Sequence, residues 1–218
     1  MPDIRRTGLL DDFERAAEDP LSFGGKWDKP ATDSNAMKTR SGTGGNMIAT
    51  NATDGGVCRA YWTPESFSED ELEVWGFEND IADGAGKSLR LFFFASVGGT
   101  VSTLDGYILL DGFEGATHKL WLRRFTNNVT ITEAVIGEPF SRQYLLLRLN
   151  GNDVEGWGSA DGTTWTKHLS ITDTTYRSGL YLGIGAQGVT STTGPGWGSI
   201  GGGLQAVAAQ QFIRRPFG

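Results

Sequence analysis

The stretch Tyr144-Leu145-Leu146-Leu147-Arg148-Leu149-Asn150-Gly151-Asn152-Asp153-Val154-Glu155-Gly156-Trp157 carries the clearest structural signal in the chain. Leu145, Leu147 and Leu149 fall on one side of an extended backbone, and Tyr144, Leu146 and Arg148 on the other. Successive side chains of a strand point to opposite faces, so a period of two with one aliphatic side marks a β-strand with a face in the core. Asn150-Gly151 follows at once, a dipeptide that tolerates positive φ and turns the chain.

The same unit recurs in both directions. Leu72 and Val74 alternate with Glu71 and Glu73; Leu89, Leu91, Phe93 and Ala95 share a face; Leu120 and Leu122 alternate with Lys119, Trp121 and Arg123. Leu180, Leu182, Ile184 and Ala186 alternate with Tyr181, Gly183 and Gly185. Asp54-Gly55, Asp83-Gly84, Asp105-Gly106, Asp111-Gly112 and Asp161-Gly162 supply further turn dipeptides. Residues 10–18 alone have a helical look, and Pro20 stops them. About ten or more strands are too many for one flat sheet. The pattern predicts an all-β chain folded as a two-sheet antiparallel β-sandwich of jelly-roll type. Residues 1–9 are expected to form a short N-terminal arm, and 10–218 a single sandwich domain. Residues 188–203 read as one long low-complexity loop, the kind of connection that often carries function.

Composition narrows the function. The chain has 218 residues, 32 of them Gly, and a formal net charge of −7. That charge repels phosphate backbones, and no Lys/Arg stripe overrules it, so nucleic acid is excluded as a partner. Cys58 is the only cysteine, which rules out an intrachain disulfide and a Cys-based zinc site; it reads as a small packing residue. No window approaches the roughly 18 apolar residues of a membrane-spanning helix, so no membrane insertion is expected. The opening Met1-Pro2-Asp3-Ile4-Arg5-Arg6 lacks the apolar stretch of a signal peptide.

Two stretches resemble known families. Leu10-Asp11-Asp12-Phe13-Glu14-Arg15-Ala16, with Pro20-Leu21-Ser22 and Gly25-Lys26-Trp27, resembles the opening of many bacteriophage virion proteins, often minor tail proteins. The stretch from Leu145 to Trp157, with Asp161-Gly162-Thr163-Thr164-Trp165 and Gly179-Leu180-Tyr181-Leu182-Gly183, resembles the late strands of concanavalin A-like (laminin G-like) sandwiches. The first resemblance implies a virion protein assembled in the host cytoplasm and released by lysis. The second implies glycan binding as a frequent use of the fold.

Concanavalin A-like folds include glycoside hydrolases, whose carboxylates must stand about 5–9.5 Å apart. Glu71 and Glu73 share a face but Glu78 has the opposite parity, so no pair is secured and no enzyme is expected. Gly86-Lys87-Ser88 imitates the end of a P-loop, yet Ile81 stands where that motif needs Gly. Calcium is the one cofactor left open, through Asn79, Asp80 and Asp83 or through Asn152, Asp153 and Asp161, although turn formation explains both sets. Among seven Trp, Trp75, Trp121 and Trp157 sit opposite the aliphatic faces of their strands. Trp197, framed by glycines, is expected to be the leading contact residue because strand alternation gives it no place in the core.

Two functions follow. The first is a non-enzymatic structural component of a bacteriophage virion, a minor tail or capsid-surface protein. It would be present in many copies, held by other virion proteins and by copies of itself, with host-envelope glycan as an added contact. The alternative is a carbohydrate-binding, lectin-like module without a structural role.

Overall fold

Alternating aliphatic residues become the inner faces of two stacked sheets. The computed structural model describes residues 7–13, 18, 21–30, 37–39, 47–49, 57–67, 71–79, 88–95, 104–137, 143–187 and 196–204. In chain order its strands are β1 (Leu9–Asp11), β2 (Trp27–Asp28), β3 (Met37–Thr39), β4 (Met47–Ala49), β5 (Val57–Trp62), β6 (Leu72–Asn79), β7 (Ser88–Phe94) and β8 (Gly106–Glu114). Then come β9 (Thr117–Thr126), β10 (Val129–Gly137), β11 (Tyr144–Asn150), β12 (Asp153–Ser159), β13 (Trp165–Thr172), β14 (Tyr181–Gln187) and β15 (Gly196–Leu204). One sheet has the order β1-β15-β6-β11-β12-β13, the other β10-β9-β8-β7-β14-β5-β2, and β3-β4 form a small pair. The two-sheet antiparallel sandwich expected from the alternation is present.

The core also follows the pattern. Leu72, Val74, Leu89, Leu91, Phe93, Leu120, Leu122, Leu145, Leu147, Leu149, Leu180, Leu182, Ile184 and Ala186 are all fully buried in one cluster, with Cys58 among them. Glycines on the inner faces let large neighbours reach in. A Cβ on Gly76 would stand 2.5 Å from the Trp197 ring, and one on Gly156 would stand 2.6 Å from Leu109.

The turns are partly as expected. Asn150 pairs with Asp153 across Gly151-Asn152, and Gly151 has φ 56°. An unforeseen tight turn joins β9 to β10, where Asn127 and Asn128 take φ 50° and 62° between Thr126 and Val129. Positive φ at both central residues is the type I′ geometry that matches strand twist. Asp105-Gly106 and Asp111-Gly112 are not turns. Gly106 opens β8 at φ 144°, where a Cβ would stand 1.9 Å from the Phe93 carbonyl oxygen, and Asp111 lies inside the strand, fully buried beside His118 at 2.6 Å. Asp54-Gly55 and Asp83-Gly84 lie outside the described residues.

The opening segment departs from expectation as well. The helical reading fails at its start: Leu9–Asp11 is a strand paired to β15, and Phe13 is fully buried at φ 54°. The Asp11 side chain accepts the Phe13 backbone N–H and the Trp27 indole N–H, both at 2.8 Å. Ahead of it, Thr7 gives its backbone N–H and hydroxyl to Glu73, both at 2.8 Å, which ties Thr7 to the sandwich.

Removing the Asp11 carboxylate leaves the buried Trp27 indole N–H without an acceptor, a penalty of about 1–3 kcal/mol. Asp11→Ala is therefore expected to lower unfolding free energy by about that amount in a urea titration. Asp12→Ala, at the exposed neighbour, should stay within about 0.5 kcal/mol of the parent.

Candidate functional site

The outer faces of the two sheets differ in chemistry. On the six-stranded sheet, Trp75, Leu146 and Trp157 are direct cross-strand neighbours, with Tyr144 and Trp165 packed beside them. The next row is ionic: Arg148 stands between Glu73 and Glu155, and its guanidinium bonds Glu73 at 2.7 Å. Glu155 accepts the Trp157 indole N–H at 3.0 Å and the Lys167 ammonium at 3.1 Å. This face binds its own charges internally. Glu71 is exposed, and Glu78 lies on the inner side of β6 beside Trp197, so the acids considered for glycoside hydrolysis do not converge.

The seven-stranded sheet is different. Phe125, Phe94 and Tyr181 form one row of its outer face. Arg123, Ile108, Phe92, Gly183, Tyr61 and Asp28 form the next. Then come Trp121, Leu110, Arg90, Gly185 and Arg59, and last Lys119, Gly112, Ser88 and Gln187. Phe92 and Phe94 stack with centroids 4.5 Å apart and lie over Gly183 and Gly185, where a Cβ would come within 2.2 and 2.9 Å of their rings. At the far edge Tyr61 meets Tyr181 edge-on at 5.5 Å and donates its hydroxyl to Asp28 at 3.3 Å. Burial, then the Asp28 carboxylate, pushes that phenol above its usual range.

Where the aromatic band gives way to polar residues there is a depression of about 230 Å³ lined by Ser88, Arg90, Leu110, Phe113, Glu114, Trp121, Arg123 and Gln187. Arg90 donates to Ser88 Oγ at 3.1 Å and to Gln187 Oε1. Lys119 donates to Glu114 and holds its carboxyl below the usual range. Arg123 pairs with Glu133 and sets its guanidinium 5.4 Å from the centre of the Trp121 ring. Apolar floor, planar indole and a few converging polar groups are the make-up of a small-ligand site.

The four tryptophans expected to make contacts are thus separated. Trp121 lines the depression, whereas Trp75 and Trp157 lie on the opposite side of the sandwich. Trp197 must be corrected. It is fully buried in the main core and donates its indole N–H to the Gly185 carbonyl of the other sheet at 3.3 Å. A bulge between Trp197 and Ser199 shifts the register, so Trp197 and Ile200 both face inward despite their odd spacing. Most of the expected low-complexity loop is likewise strand β15, its residues 188–195 lying outside the described residues.

Sequence reasoning missed Ser88, Arg90, Arg123 and Gln187. Ser88 and Arg90 were detectable as the polar partners of Leu89 and Leu91, but alternation cannot say which strands become neighbours. For calcium, Asp153 accepts from Thr172 at 2.7 Å at one end of β12, and Asp161 caps its own turn beyond the other end. The backbone N–H groups of Thr164 and Thr163 hold the Asp161 carboxyl far below the usual range. These residues do not form one ligand set, and no group of three or more metal-binding side chains occurs among the described residues. The other set, Asn79, Asp80 and Asp83, lies outside the described side chains.

No protein-family model matches the sequence, and no curated protein matches it. Solved structures do. The Ca2+-bound form of the VIP36 exoplasmic/lumenal domain aligns with a TM-score of 0.63 at 13% identity, over 93% of this chain and 93% of that one. The legume lectin-like domain from Entamoeba histolytica aligns at 0.56 and 12% identity, over 91% and 96%. The fold is the legume-lectin-like, concanavalin A-like β-sandwich. A third match, Bacteroides ovatus Xyloglucan PUL GH43B, has a TM-score of 0.59 and 13% identity; it covers 89% of this chain but 38% of that one. At such identities the likeness is one of fold. None of these three is described as a phage protein, and the virion expectation gains no support from them.

Trp197→Ala empties a core site and removes a hydrogen bond between the sheets. The expected cost is about 3–5 kcal/mol of unfolding free energy by denaturant titration. A loss below about 1 kcal/mol would show that the indole is not a core residue.

Proposed function

We propose that this protein is a non-enzymatic, lectin-like module that binds carbohydrate in the depression of the seven-stranded sheet. The observation that carries the reading is the depression itself, where the Trp121 indole meets the polar groups of Ser88, Arg90, Glu114 and Gln187. A sugar ring has apolar C–H faces and a polar rim, so it needs an aromatic surface beside directional hydrogen-bonding groups. The volume equals the liquid share of roughly eight waters, which suits one sugar ring rather than a long chain segment. The legume-lectin-like fold supports the same reading.

The virion reading has less behind it. Of the residues that carry that resemblance, Asp11, Phe13 and Trp27 act inside the fold, closing one edge of the sandwich. One observation favours assembly: β10, outermost in its sheet, exposes Val129, Ile131 and Val135 at 59, 50 and 48%. An apolar, outlying strand is a common pairing surface. Light scattering on the purified chain tests this; a monomer that stays monomeric at about 1 mM, a concentration that reveals even weak association, removes self-assembly through β10.

For carbohydrate binding, a glycan array followed by calorimetric titration should find a saccharide ligand. Trp121→Phe keeps an aromatic ring but deletes the N–H along with the indole's second ring, and Gln187→Ala deletes an amide at the rim. Each should weaken that ligand about three- to tenfold, the worth of one hydrogen bond. Unchanged affinity in both variants would remove the depression from the binding site.

A further inference from the structure

We infer that the depression selects an acidic sugar, a hexuronate whose ring carboxylate lies against Arg123, Trp121 and Ser88. This rests on the carbohydrate reading above and names its ligand class.

The inference comes from sorting the lining groups into donors and acceptors. The acceptors are already turned to cations: Glu114 to Lys119, Gln187 Oε1 to Arg90, and the neighbouring Glu133 to Arg123. The donors are not matched in the same way. Among the described residues, the Trp121 indole N–H donates to nothing, and Arg123 uses only its Nε. The Ser88 oxygen accepts from Arg90, while its proton has no acceptor among the described residues. Three side chains of the lining therefore offer hydrogens, Trp121 and Arg123 from β9 and Ser88 from β7.

That imbalance discriminates between sugar classes. A hydroxyl group both donates and accepts, so a neutral ring bound here would leave some of its own donors unmatched. A carboxylate only accepts, and its two oxygens suit a guanidinium fork with further N–H and O–H donors around it. Charge agrees: Arg90, Arg123 and Lys119 stand against Glu114 and Glu133 at the depression, an excess of one positive charge on a chain whose net charge is −7. Burial strengthens the effect. Trp121 and Ser88 are only 7 and 4% exposed, so a carboxylate seated against them is screened less than on open surface.

The experiment compares ligands before it compares proteins. Glucuronate, galacturonate, mannuronate and guluronate are titrated into the full chain by saturation-transfer NMR, each against its methyl ester and its neutral hexose. At least one free acid should bind about tenfold tighter than its ester and its hexose at about 50 mM salt, with the margin shrinking toward about 0.5 M as charges are screened. Arg123→Gln, at a half-buried position, should abolish the margin while leaving the ester's affinity in place. Equal binding of acid and ester overturns the inference even if the variant does not fold. So does binding of a neutral hexose with none of the four acids bound, in which case the carbohydrate reading stands. Failure of every sugar overturns both.

Discussion

Everything in this sandwich depends on how closely the two sheets approach at Trp197. Its indole fills the space above Gly76 and hydrogen bonds the backbone of β14 in the opposite sheet. Stacked sheets normally stand about 10 Å apart, a gap bridged by interdigitating side chains. Here large residues on one strand meet glycine on another, as Leu109 meets Gly156 and Leu182 meets Gly202. The high glycine content therefore serves packing within strands as well as turning between them.

The same pairing of large residue with glycine shapes the outer faces. Trp75 lies over Gly201 on one side, and Phe92 and Phe94 lie over Gly185 and Gly183 on the other. Bulky rings lie flat instead of projecting, so both faces are shallow. What separates the faces is electrostatic closure. On the six-stranded sheet Arg148 is held in a row with Glu73 and Glu155, and Lys167 completes the set. A buried ionic row of this kind is secure only when its members satisfy one another, since losing one partner strands a charge. Near Trp121 the seven-stranded sheet pairs its charges two by two, Lys119 with Glu114 and Arg123 with Glu133, rather than in one row, and among the described residues the indole N–H has no acceptor; that is where a ligand can supply what the protein does not.

Fold likeness sets bounds on function without choosing it. The same sandwich appears in a lectin-like domain and in part of a much longer glycoside hydrolase protein. Chemistry must then be argued from side chains. The acids first considered for hydrolysis are divided between the two sides of β6, one held by Arg148 and the other in the interior. The opening motif, whose resemblance pointed to virions, is explained by its work within the fold: Asp11 organises Phe13 and Trp27.

Alternation along single strands determined the all-β class and the inner faces of the strands it marked, because side-chain parity is a local property of extended backbone. It also told which tryptophans oppose the aliphatic faces. It could not tell that Trp121 lies on one side of the molecule while Trp75 and Trp157 lie on the other, since sheet membership is set by pairing between distant segments. Nor could it place Trp197, because a bulge reverses parity and a bulge is decided by the partner strand, here β6. Ser88, Arg90, Trp121, Arg123 and Gln187 come from three strands, β7, β9 and β14, and meet only once these align in register with β8 between β7 and β9. The sequence by itself determined which residues face inward wherever alternation is unbroken; the tertiary structure decided the exception at Trp197 and which outward residues are neighbours, because bulges, register and strand order arise from contacts that no local period encodes.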